Sequence, residues 1–194
     1  MQGYIPTTLE KWISDRFIQK GIFYPWELTP KQIAGAFDID FDADFSPAFS
    51  SEEFGEPFIV VDKRTSQEMQ KEQFFHELGH ILRHDGDQRD ENMPESFRMM
   101  QEADAHLFTL YAAIPYHMLD FSANNTIESI IERFNVSNEI AKNRVLGIKR
   151  KLYYQRPIKQ NKPINLQRFH PNQYSKETQK ILQQLKNQTG VSWL

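Results

Sequence analysis

A chain of 194 residues is long enough to bury a full hydrophobic core, and 39% hydrophobic with 25% charged residues excludes a disordered or fibrous protein. It contains no cysteine, which excludes disulfide frameworks and thiolate metal sites, so any transition metal must rest on histidine and carboxylate. The net charge of −3 is unevenly spread: residues 151–194 carry eight Lys or Arg against Glu177 alone, whereas the first 150 carry 15 basic and 25 acidic side chains.

In chain order, Thr7 and Glu10 have capping-box spacing, and Leu9, Trp12, Ile13 and Phe17 recur at helical intervals up to Gly21, which predicts a first amphipathic helix. Thr29 before Pro30 reads as an N-cap with proline in the first turn of a short helix reaching about Phe37. Ile39 and Phe41 alternate with Asp38, Asp40 and Asp42 as in a half-buried strand, and Phe58 to Val61 forms a second short apolar strand. The segment from Ser66 to His84 is helical in composition and periodicity, DGDQRDENMPES is a polar loop, and a second long helix is expected from about Ser96 to Ile114, ending before Pro115. Two more helices follow, one from Thr126 to Phe134 and one after Ser137. Three prolines make residues 156–174 an extended linker, and a short terminal helix is expected from Ser175 to about Gln188. The expected organisation is a domain over residues 1–150 and a basic extension over 151–194.

The segment His76-Glu77-Leu78-Gly79-His80 carries the chemistry. Residues four apart on a helix differ by about 40° around its axis and one turn along it, so both imidazoles can reach one ion. Zinc suits two neutral imidazoles, and a third protein ligand leaves one position open for catalysis. Glu77, beside the first ligand, is then placed to accept the proton of attacking water. Phe74, Phe75, Leu78, Ile81 and Leu82 surround the motif and predict a helix packed into the core. The third ligand is expected from the next helix. Glu102 is preferred because it completes a His2Glu set, with His106, one turn on, as its rival; Asp104, about 200° from Glu102, is expected to point away from whatever Glu102 touches, as a surface charge or a hydrogen bond to a neighbouring helix.

FFHELGHILRH resembles the active helix of the ImmA/IrrE family of zinc metallopeptidases, and EADAHLFTLYAAIP resembles the helix that follows it, with Glu102, Phe108 and Pro115 at the family's spacing. PKQIAGAFDIDF, FIVVD and FNVSNEIAKNRVLGI extend the resemblance over roughly residues 30 to 150. It implies an α+β zincin-like fold, mostly helical with a small sheet, zinc on His76, His80 and Glu102, and Glu77 as catalytic base. It further implies cleavage of a helix-turn-helix transcriptional repressor of a phage or mobile element. A zincin scaffold that binds a regulator without hydrolysing it is the alternative.

His84 lies about 80° round the helix from His76, outside the ligand arc. It reads as a helix-terminal histidine bordering the cleft. Tyr111 is weighed as a donor to the scissile carbonyl against a core tyrosine. The basic tail, with Tyr153, Tyr154 and Phe169 interleaved, reads as a solvated arm or a dock for an acidic protein in preference to a nucleic-acid site. No basic leader precedes an apolar stretch and no apolar run has membrane-spanning length, so a cytoplasmic protein is expected.

Overall fold

The computed structural model describes residues 4–53, 55–84, 93–121, 125–154 and 175–189. Two compact units are present, residues 1–155 and 156–194. The expected polar loop for the most part, and the linker over 156–174 entirely, lie outside the described residues.

In the first unit, α1 (Thr8–Gln19) is followed by a 3-10 turn at Pro25–Glu27, α2 (Pro30–Ala36), β1 (Asp40–Asp44), β2 (Phe49–Glu53), β3 (Glu56–Asp62) and α3 (Gln67–Arg83). Next come α4 (Glu95–Ala113), a 3-10 turn at Tyr116–Met118, α5 (Ile127–Phe134) and α6 (Asn138–Tyr154). The second unit contributes α7 (Lys176–Thr189), where Ile181 is exposed. The chain has the α+β zincin-like fold. No helix among the described residues is long and apolar enough to cross a membrane.

The helix starts obey their caps. Thr7 and Glu10 close a reciprocal capping box, and Thr29, Ser66 and Thr126 each accept a bond from the backbone N–H three residues on. Asn135 ends α5 in the left-handed region at φ 48°, a conformation asparagine tolerates. The sheet has the order β1-β3-β2, with β1 parallel and β2 antiparallel to β3. Sequence patterning predicts β1 and β3 but misses β2. Its sequence FSSEE has little strand propensity and owes its conformation to the ladder with β3, pairing Phe49 with Val60 and Ser51 with Phe58.

Ile59 and Val61 of β3 are fully buried, and α3 packs on the sheet through Phe74, whose ring meets Phe41 of β1 edge-on at 5.4 Å. Beneath α3 lies α1, with the Phe17 ring 6.4 Å from that of Phe75. On its other flank α4 comes very close. A Cβ on Gly79 would stand 3.1 Å from Cδ1 of the buried Phe108, so any larger residue here would press on Phe108 and glycine suits this crossing. Glu72 of α3 accepts a 3.0 Å bond from the backbone N–H of Ser137, tying the metal-motif helix to the start of α6.

One ion cluster is sealed inside. Glu10 of α1 and Arg144 of α6, both about 1% exposed, meet at 2.5 Å, and Tyr4 and Lys151 complete the shell of the carboxylate. Burial alone pushes the Glu10 carboxyl up, but Arg144 and Lys151 outweigh it and hold its pKa at about 2.

Candidate metal centre

His76 and His80 project from adjacent turns of α3, and their Nε2 atoms converge to 3.1 Å. Glu102, on α4, closes the triangle: its Oε2 lies 3.2 Å from His76 Nε2 and its Oε1 lies 3.5 Å from His80 Nε2. Bonds of 2.0–2.1 Å in a tetrahedral site imply ligand-to-ligand edges of about 3.3 Å. The His76–His80 separation falls near that value, each imidazole has one of the two Glu102 oxygens at a similar distance, and the donor set of two imidazoles and one carboxylate fits a divalent ion. Among the described residues, His76, His80 and Glu102 form the group able to hold a metal. Burial, reinforced by the neighbouring histidines, pushes the His80 pKa down to about 4 and also lowers that of His76. Both rings are therefore neutral at physiological pH, the form that ligates.

Glu77 points from α3 toward β2, where its Oε2 accepts a 2.7 Å bond from the Ser50 hydroxyl. Burial raises its pKa. A cavity of about 730 Å³ opens over His76, Glu77 and Glu102 and continues between aliphatic walls that include Met69, Leu110 and Ile140. His106 is exposed, lines this cavity, and sets its ring 4.9 Å from that of His76, beside the ligand triangle.

Asp104 faces away from the His76–His80 pair that Glu102 meets and bonds the end of the neighbouring helix: it receives a two-pronged contact from Arg83, at 2.5 and 3.1 Å, and faces His84 Nε2 at 3.2 Å. The reason is the helix crossing: the buried stripe of Gln101, Ala105 and Phe108 faces inward, and Glu102 and Asp104 flank it, about 60° and 100° from Ala105 on opposite sides. Both carboxylates thus reach α3, one over the histidine pair and one at its C-terminal end. His84, the C-cap of α3, brings its Nδ1 to 2.9 Å from His80 Nδ1.

Tyr111 belongs elsewhere. Its ring lies beneath the Arg144 guanidinium at 4.9 Å, beside the buried Glu10 cluster, which replaces the role weighed for it at a scissile carbonyl. His117 is half-buried, with its Nε2 3.3 Å from the Ile22 carbonyl oxygen. Ser50 carries no sequence signal, because a serine in FSSEE is unremarkable until β2 is placed beside Glu77.

Comparison with known proteins agrees with the geometry. The peptidase M78 family, described as the IrrE N-terminal-like domain, matches residues 35–146. The chain is 30% identical to YqaB of Bacillus subtilis (strain 168) over 154 residues, which cover 77% of this chain and 88% of YqaB. It is 27% identical to the phage-like element PBSX protein XkdA of the same organism over 183 residues, covering 90% and 89% of the two chains. With the match spanning both motif-bearing helices and the sheet beside them, the chain belongs to the peptidase M78 family.

Proposed function

We propose that this protein is a cytoplasmic zinc-dependent endopeptidase that cleaves a helix-turn-helix transcriptional repressor of a phage or mobile element and so relieves repression. The observation that carries the enzymatic part is the convergence of His76, His80 and Glu102 into one group able to hold a metal ion, with Glu77 beside it. A bound zinc ion supplies Lewis acidity toward the peptide carbonyl and toward the attacking water. Glu77 takes the proton of that water; its burial moves the carboxyl toward neutrality, where it can accept a proton and later return it to the leaving amine. Ser50 holds the Glu77 carboxylate in its orientation. The cavity, open on one side of the triangle and walled by aliphatic side chains, accommodates a peptide segment with an apolar residue. The repressor substrate is favoured by the family and by the relative XkdA, whose name places it in a phage-like element.

The test is co-expression with a helix-turn-helix repressor encoded on the same phage or mobile element, wild type against Glu77→Gln, with mass analysis of fragments. Glu77→Gln is expected to retain zinc and lose cleavage, because the ligands survive and only the proton acceptor is removed. A Glu77→Gln protein that still relieves repression would show that the scaffold acts by binding the regulator without hydrolysis.

A further inference from the structure

His80 is contacted on both ring nitrogens, and the second contact begins a chain of polar groups that leads away from the cavity. Its Nε2 belongs to the triangle with His76 and Glu102. Its Nδ1 faces His84 Nδ1 at 2.9 Å, His84 Nε2 faces Asp104 Oδ2 at 3.2 Å, and Arg83 grips both oxygens of Asp104. The His84 side chain is only 8% exposed, so its contact with His80 is shielded from water, while Asp104 and Arg83 lie nearer the surface. The backbone makes them possible: α3 ends at Arg83, and His84, with φ −115° and ψ 130°, leaves the helical path and turns its ring between His80 and α4.

Hydrogen bonding leaves one consistent proton assignment. A nitrogen–nitrogen contact of 2.9 Å needs one donor and one acceptor, since two protons or two lone pairs would repel. A ligating His80 must have a bare Nε2, which puts its proton on Nδ1, and His84 Nδ1 must then accept it. His84 then carries a proton on Nε2, where it points at the Asp104 carboxylate. Reversing the direction would place a bare His84 Nε2 against a carboxylate oxygen and a proton on the His80 nitrogen that faces the other ligands.

We propose that His84 and Asp104, held by Arg83, are positioning residues that lock His80 in the Nδ1–H tautomer with its Nε2 lone pair aimed at the metal. This rests on the reading of His80 as a zinc ligand. It gives work to a third histidine spaced four residues beyond the HExxH pair, which cannot join the ligand set yet contacts one member of it. It also explains why Asp104 is drawn to α3 in spite of its position on the helix opposite to Glu102.

The experiment measures zinc affinity, by competition with a chromophoric chelator, for the wild type, His84→Ala, Asp104→Ala and the double variant. Thermal melts of the metal-free forms report folding, and long-range nitrogen-15 NMR of the histidine rings is recorded on the zinc-loaded wild type. Each single substitution is expected to weaken zinc about 10–100-fold. The double variant should lose no more than the weaker-binding single, because the two residues act in series through one contact. In the wild type, NMR should find the proton of His80 on Nδ1 and that of His84 on Nε2, a readout that a merely structural role would not require. His84→Ala binding zinc as tightly as the wild type, or a zinc-loaded wild type with the His84 proton on Nδ1, would overturn the relay and leave the protease reading standing. A folded wild type that binds no zinc would overturn both.

Discussion

Replacing Gly79 by alanine tests how closely the two helices of the metal centre approach. An added Cβ would meet Phe108 at Cδ1, Cγ and Cβ, at 3.1, 3.2 and 3.3 Å. The last of these atoms is anchored to the α4 backbone, and Phe108 is fully buried, so swinging the ring aside offers no relief. Alanine gains about 1 kcal/mol of helix propensity over glycine. Overpacking of this kind costs about 1–3 kcal/mol, which leaves a net destabilisation of about 1 kcal/mol. Gly147 in α6 supplies the matched control, since nothing lies within 4 Å of its added Cβ and Gly147→Ala should stabilise by about 0.5–1 kcal/mol. Urea unfolding of the metal-free proteins at unchanged m reads both effects. Because Phe108 and Glu102 share α4, zinc binding should also weaken in Gly79→Ala and stay unchanged in Gly147→Ala. Equal stabilisation by the two substitutions would refute the close approach and the link from packing to ligand geometry.

Ser50→Ala removes the hydrogen bond that orients Glu77 and should lower kcat about tenfold, the rate equivalent of about 1.4 kcal/mol, without altering zinc affinity. A tenfold change in zinc affinity instead would mean that Ser50 acts on the ligands. Arg144→Met should destabilise by about 1.5–3 kcal/mol, since it removes one counter-charge of a buried carboxylate and leaves Lys151 and Tyr4 to hold it, whereas replacing both partners as Glu10→Leu with Arg144→Met should cost less. Acid should act on the same cluster. The folded Glu10 pKa, at about 2, lies below its ordinary 4.5, so its stabilising contribution is complete above pH 4.5 and is lost as pH falls from 4.5 toward 2. That contribution is about 3 kcal/mol, and urea midpoints of Glu10→Gln across this window should fall less steeply than those of the wild type.

What could be read from the chain alone follows the range of the interaction. Helix starts at Thr7 and Thr29 depend on partners three residues away, and each cap is made as its spacing predicts. The pairing of His76 with His80 is equally local, a matter of one helical turn. Features that depend on how elements meet were not readable in this way. β2 forms because β3 is beside it, Ser50 gains importance only from that strand, and Asp104 meets Arg83 and His84 because α4 crosses α3 with both flanks in reach. Glu10 was legible as a capping residue but not as the counterion of a group 134 positions away.

That last pairing bears on where the folded unit begins. The family match starts at residue 35, yet the carboxylate that neutralises Arg144 and the Phe17 ring that supports Phe75 both come from the helix preceding it. A fragment excised at the matched bounds would bury a guanidinium with no counter-charge and bare the underside of the HExxH helix to water. The smallest autonomous folding unit is therefore wider than the stretch by which relatives recognise one another, and expression of a trimmed form should retain the first twenty residues.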